Sequence, residues 1–159
     1  MRLFRLTQQK SKARAFDGRG AGLHPGRWNE RNRAAVYVAT SIALAILEIL
    51  VQAGQTPLLG FLAYPVDVPD EFLTALDTHR LAPNWRSVAG RDVCRAIGET
   101  WRASDESLGL LVPSAVLPEA AAFGERNAVL NPIDRRFEHV SIGAPVRLEI
   151  DARVQDLLA

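Results

Sequence analysis

The stretch Ala34-Ala35-Val36-Tyr37-Val38-Ala39-Thr40-Ser41-Ile42-Ala43-Leu44-Ala45-Ile46-Leu47-Glu48-Ile49-Leu50-Val51-Gln52 decides how this chain folds. Ala34 to Ala39 is short, apolar and rich in β-branched and aromatic residues, which reads as a buried strand. Thr40-Ser41 then offers a hydroxyl to cap the first free N–H groups of a helix. Ile42 to Gln52 carries that helix, and Gly54 ends it. A strand running through a cap into a helix is a unit of either an α/β or an α+β fold. The flanking elements decide between them.

Upstream, Arg2 to Leu6 alternates charged and apolar residues, as a short edge strand does. Residues 7–33 are polar and Gly-rich (Asp17-Gly18-Arg19-Gly20-Ala21-Gly22, then His24-Pro25-Gly26) and read as a long loop, functional or disordered. Downstream, Leu58 to Val68 is a second β-prone run broken by Pro65. Pro69-Asp70 opens a helix to about Leu76, and Pro83-Asn84-Trp85 is a turn. Val88 to Ala103 reads as a helix, with Val93, Ile97 and Trp101 at spacings of four. Leu108 to Val112 is a strand, 118–127 a polar loop or short helix, Ala128 to Leu130 a strand and Val146 to Ile150 another, with Asp151 capping a final helical turn. The order lacks a regular βαβ rhythm, and neither GxGxxG nor GxxxxGK[ST] occurs, so no Rossmann or P-loop site is supported. The expected architecture is α+β, a single domain of helices on a mixed or antiparallel sheet.

The chain has 159 residues, 48% hydrophobic and 23% charged, with a net charge of +1. One globular core fits that length, and so small a net charge argues against a general nucleic-acid binder. The charge is uneven. Residues 1–36 hold nine Lys and Arg against two acids, and the rest is acidic. Such a basic first quarter suits a phosphorylated ligand or an acidic partner, or is simply a solvated arm. The longest apolar run, Ile42 to Val51, contains Glu48 and falls short of the ~20 residues that span a bilayer. With no signal segment visible either, a cytoplasmic protein is expected. Cys94, the one cysteine, lies among apolar neighbours and reads as a small buried hydrophobe. His24, His79 and His139 show no ligand spacing, so no metal site is expected.

Glu48 is the most informative residue. Its helix is apolar on every face and so reads as buried on every face. A carboxylate there is costly unless it is paired or opens onto a cavity, and the alternative is a helix edge facing solvent. Arg27, in Gly26-Arg27-Trp28-Asn29, follows a glycine that permits close backbone approach. It offers a planar fork suited to phosphate, or is one surface arginine among many. Trp28 either stacks on a ring or fills the core. Tyr37 is either a core aromatic with a satisfied hydroxyl or part of a site. Ser114, Asn127 and Asn131 are by default turn residues.

Together these residues resemble the RES domain, named for its Arg, Glu and Ser. The matching pieces are Leu3-Phe4-Arg5, Gly18 to Gly22, Gly26-Arg27-Trp28-Asn29, Val36-Tyr37, Ala45-Ile46-Leu47-Glu48, Val112-Pro113-Ser114-Ala115 and Asn127-Ala128-Val129-Leu130-Asn131-Pro132. Their order and spacing match over about residues 2–137. Two loop stretches depart from the pattern: Leu23-His24-Pro25-Gly26 lacks a second glycine, and Asn29-Glu30-Arg31-Asn32 lacks the glycine common there.

The resemblance implies a fold similar to ADP-ribosyltransferase toxins and consumption of NAD as substrate without a metal. It also implies an Xre-type helix-turn-helix antitoxin that covers the site. In that scheme Glu48 stabilises the cationic ribose of the transition state, Arg27 holds the pyrophosphate or ribose, and Tyr37 stacks on nicotinamide. Ser114 bonds the carboxamide or orients Glu48, and Arg5 and Asn127 contribute to binding. The acceptor of ADP-ribose is water, phosphate or a target protein. Ile46 stands two residues before Glu48, where many protein-modifying relatives of the wider fold carry a second acid or amide, which leans toward a glycohydrolase. The competing reading is a non-enzymatic module whose basic first quarter docks an acidic partner.

Overall fold

The computed structural model describes residues 1–53, 59–118, 122–151 and 153–154. Its centre is one eight-stranded sheet: β1 (Arg2–Thr7), β2 (Val36–Ala39), β3 (Leu62–Asp67), β4 (Leu73–Ala75), β5 (Gly109–Val112), β6 (Asn127–Leu130), β7 (Ser141–Ile142) and β8 (Val146–Arg147). The strand order is β4-β5-β6-β2-β1-β3-β7, with β8 also on β3. Every pairing is antiparallel except β4 with β5. The helices are α1 (Lys12–Ala15), α2 (Arg19–Leu23), α3 (Ile42–Ala53) and α4 (Arg91–Ser104). This is the α+β architecture, with a mixed sheet, that the sequence implies.

Side chains alternate across each strand, so the sheet has two distinct faces. Leu3, Val36, Val38, Tyr64, Val66, Ala128 and Leu130 point to one, where Ala15 of α1 and Phe16 cover them. Ala35, Leu110, Val112 and Val129 point to the other, against Trp28, Trp85 and the α4 residues Cys94 and Trp101. On that second face α3 lies over Ala39 through Leu44 and Ala45. Gly98 lets α4 sit this close, because a Cβ there would overlap the Trp28 carbonyl.

Several local expectations change. β1 is not an edge strand but runs between β2 and β3, with a six-residue register against β3. Residues 7–33 are not one loop, since α1 and α2 lie within them. Pro69-Asp70 opens only a short 3-10 turn, and β4 follows, because Leu73, Thr74 and Ala75 pair in parallel with Gly109, Leu110 and Leu111. α4 begins at Arg91 rather than Val88. The last strand is two residues long, Val146–Arg147, and β7 and the 3-10 turn at Arg135–His139 have no counterpart in the sequence reading. Ser41 caps α3, its Oγ accepting from the Leu44 N–H at 3.1 Å. Asp151 accepts from the Arg153 N–H. The stop at Gly54, the start at Leu58 and part of 118–127 lie outside the described residues.

The largest correction concerns α3. It is not buried on every face. Leu44 and Ala45 are buried, Ile46 to Leu50 are half-buried, and Ile42, Ala43 and Val51 are exposed. The helix rests on the sheet along one side only, so its apolar composition exceeds what the sheet can cover.

Candidate active site

Helical spacing aims Glu48. Residues three and four apart share a helix face, so Glu48 lies one turn beyond Ala45 and Leu44, on the side that meets the sheet. Strand alternation brings up its partners. Ser114 stands two residues past Val112, and Asn127 two before Val129, so both leave the sheet on the α3 side. Ser114 Oγ donates to Glu48 Oε1 at 2.7 Å, and Asn127 Nδ2 donates to the same oxygen at 2.5 Å. Ser114 is itself fixed, being 3% exposed, with Oγ accepting the N–H groups of Val116 and Leu117. Both donors converge on one carboxylate oxygen, and Oε2 has no hydrogen-bond partner among the described residues. Glu48 is half-buried. The result is an oriented carboxylate with one oxygen left for a ligand.

Tyr37 lies on the same face, two residues before Ala39. Its hydroxyl donates to Asn29 Oδ1 at 2.7 Å and accepts the Trp28 N–H at 3.1 Å. Burial raises its pKa above the ordinary phenol value, against the Trp28 N–H bond and three nearby arginines. The ring is half-buried, so a tethered hydroxyl carries a partly open aromatic face. Gly26 makes this possible, since a Cβ there would lie 2.5 Å from the Tyr37 hydroxyl.

Arg27 goes elsewhere. Its guanidinium donates to the carbonyls of Trp85, of Arg86 at 2.9 Å and of Ser87 at 3.0 Å, and lies 5.9 Å from the Trp85 ring centre. It clamps a turn and does not join the Glu48 cluster. Arg5 follows Leu3 on the opposite face, opposite Tyr64 in the register. There its guanidinium donates to the carbonyls of Ala15 at 2.5 Å and Tyr37 at 2.9 Å. Burial lowers its pKa to about 10, with Asp17 opposing. Thus Glu48, Ser114 and Asn127 meet, while Tyr37, Arg27 and Arg5 are held in separate contacts. Trp28, 4% exposed, fills the core.

One residue escaped notice. Asn29 is fully buried. Its Nδ2 donates to the carbonyls of Ala21, Glu30 and Arg33, and its Oδ1 accepts from the Gly26 N–H and the Tyr37 hydroxyl. Its place in the Gly26-Arg27-Trp28-Asn29 block was the one available signal. Cys94 is fully buried, and burial pushes its thiol pKa up, which suits packing and not nucleophilic attack. No group of metal-binding side chains occurs among the described residues. No described helix is long and apolar enough to cross a membrane.

Fold and cluster together define a small α+β protein with an oriented carboxylate over the ends of the interior strands β2, β5 and β6. The family follows from comparison with known proteins: a family model described as RES domain matches residues 2–151, and the chain belongs to that family. It is 40% identical over 157 residues to a protein of Photorhabdus laumondii named Toxin Res, covering 97% of each chain. It is 37% identical over 122 residues to a Sphingobium protein named Prs ADP-ribosylating toxin, covering 74% of this chain and 72% of that one. Its fold matches a chain of the Mycobacterium tuberculosis MbcT–MbcA toxin–antitoxin complex with a TM-score of 0.72 at 21% identity, over 99% of this chain and 87% of the other.

Proposed function

We propose that this protein is the toxin of a toxin–antitoxin pair and that it cleaves the nicotinamide–ribose bond of NAD. The ADP-ribose passes to water, phosphate or a target protein. The observation that carries this reading is the Glu48 carboxylate, held through one oxygen by Ser114 and Asn127 and open at the other. Cleavage at this bond needs no general acid, because nicotinamide leaves as a neutral group from a cationic ring. The barrier lies in the positive charge that builds on the ribose. A fixed carboxylate beside that charge stabilises it, and a partly dry setting strengthens the effect.

Ser114 and Asn127 are positioning residues in this scheme. They hold the carboxylate in one orientation, so little reorganisation is needed as charge develops. Tyr37 contributes its half-open ring as a stacking surface for nicotinamide. Arg27 acts through the 85–87 turn that it holds, and Arg5 through the β1–β2 junction. The Sphingobium relative's name supports ADP-ribose chemistry. An antitoxin of the Xre type would cover the site. The uncovered apolar side of α3, with Ile42 37% and Val51 61% exposed, supports a protein partner there.

The test is nicotinamide release from NAD by purified, antitoxin-free protein, with and without phosphate and a bacterial lysate. Release without labelled protein bands indicates hydrolysis or phosphorolysis, and labelled bands indicate a protein target. A folded sample that releases no nicotinamide under any of these conditions overturns the enzyme reading.

A further inference from the structure

Beside Ser114 a cleft opens on the side of that residue's chain between the 76–86 segment and the 122–126 loop. Its lining includes Thr78, Arg86, Ser114, Gly124, Glu125 and Arg126. Two arginines line this one cleft, and neither Arg86 nor Arg126 forms an ion pair among the described residues. The lining also holds one carboxylate among its described residues: Glu125, whose Oε2 accepts from Thr40 Oγ1 at 3.0 Å and Ser41 Oγ at 2.8 Å, stays charged and is held against the start of α3. Two guanidiniums against one carboxylate give the described lining a net positive charge in one concave surface, which attracts an anion.

The two arginines are held differently. Arg86 is half-buried and lies over the Trp85 ring, 5.1 Å from its centre. Trp85 in turn lies against Arg27, whose guanidinium clamps the carbonyls of Trp85, Arg86 and Ser87. The backbone that presents Arg86 is therefore fixed, and Arg27 is the residue that fixes it. Arg126 is exposed, and its backbone N–H is fixed by Thr40 Oγ1 at 2.9 Å. At the rim, between the lining residues Ala122 and Gly124, Phe123 is 94% exposed at a φ of +43°. A left-handed backbone at a bulky residue is costly, and a bare aromatic ring beside an anion site is a stacking surface for a base.

We propose that Arg86 and Arg126 form the subsite for the diphosphate of a nucleoside diphosphate, with Phe123 as the platform for its base. This rests on the reading of NAD as substrate and deepens it. The diphosphate half of the dinucleotide lies in the cleft, and Ser114, shared by the cleft and the Glu48 cluster, marks where the ribose to be cleaved begins. Arg27 then serves the diphosphate indirectly, by holding the turn that carries Arg86.

ADP tests the subsite without requiring any reaction, since it has the base and diphosphate but no nicotinamide. Calorimetric titration with ADP is made on the wild type, Arg126→Gln, Arg86→Gln, Phe123→Ala and, as a control of equal charge change, Arg14→Gln. Arg126→Gln and Arg86→Gln are each expected to weaken ADP about tenfold or more, the usual loss for a charge-assisted hydrogen bond. Phe123→Ala is expected to weaken it several-fold, and Arg14→Gln to leave it unchanged. Circular dichroism of each variant checks the fold, and Arg126 is exposed enough that its variant stands if the Arg86 variant does not. Equal ADP affinity in the wild type and Arg126→Gln, or no ADP binding by folded wild type, overturns the subsite. Intact, arginine-dependent ADP binding without nicotinamide release from NAD would instead overturn the reaction and leave the subsite standing.

Discussion

At Asn29 five hydrogen bonds close on one side chain, and every polar atom of that amide is spent inside the protein. At Glu48, on the same face of the same sheet, two bonds converge on one oxygen and the other is left over. The partners of Asn29 all lie within eight residues of it, whereas those of Glu48 are 66 and 79 residues away. The difference shows what separates a framework from a site. A buried polar network is stable when all its members are satisfied, whereas a reactive group must be oriented and yet incompletely satisfied. Asn29, Tyr37 and Arg27 belong to the first kind, and Glu48, Ser114 and Asn127 to the second.

That contrast can be broken most directly at Glu48. Glu48→Gln keeps the size and the hydrogen-bonding reach of the side chain but removes the charge. NAD turnover is expected to fall by about a thousandfold or more, the scale of a lost electrostatic stabiliser, with thermal stability nearly unchanged. Turnover near the wild-type rate would place Glu48 in the framework. The converse experiment is Asn29→Ala. It strands the Tyr37 hydroxyl, the Gly26 N–H and three carbonyls, so a loss of about 3 kcal/mol is expected in urea unfolding. Activity per folded molecule should change far less.

Ser114→Ala lies between the two. It removes a donor to Glu48 and the acceptor of two backbone N–H groups. A fall of about 30-fold in kcat with a small change in KM is expected, together with about 1 kcal/mol of stability. Ser114→Thr, which keeps the hydroxyl, should recover much of the rate. The smallest effect is expected from Tyr37→Phe, which loses one donated and one accepted bond and about 1 kcal/mol at neutral pH. The sign of its pH dependence follows from the raised pKa. The unfolded chain releases the phenolic proton from about pH 10, while the folded chain retains it. Wild-type stability therefore falls as pH rises above about 10. Tyr37→Phe should show a shallower alkaline loss, measured by unfolding between neutral and alkaline pH.

The strand–cap–helix unit at 34–52 was legible because its signals are local: an apolar run, a hydroxyl cap and a helical stretch. β4 was not, because three residues become a strand only through parallel pairing with β5, and Pro69-Asp70 looks locally like a helix start. α1 and α2 are four and five residues long, and α2 includes two glycines, so their stability comes from the sheet and not from propensity. The apolar content of α3 implies burial on every side, yet the sheet covers one side only. In the site, Glu48 stood out as the one charge in an apolar helix. Ser114 and Asn127 were legible through the resemblance alone, because each looks like an ordinary turn residue. The engagement of Arg27 could not be read at all. Its partners are backbone carbonyls 58 to 60 residues away, and a carbonyl carries no sequence signal.

The separation along the chain of the three residues that meet at Glu48 has a consequence for how the protein is made. The acid is synthesised early, its serine 66 residues later and its amide 79 residues later. β2, which carries the floor beneath α3, also waits for β6 to flank it. A chain still growing before Ser114 thus holds the carboxylate without either group that orients it, and one growing before Asn127 still lacks the amide. Translation itself delays the site, leaving an interval in which a partner present beforehand can meet the protein before it is armed.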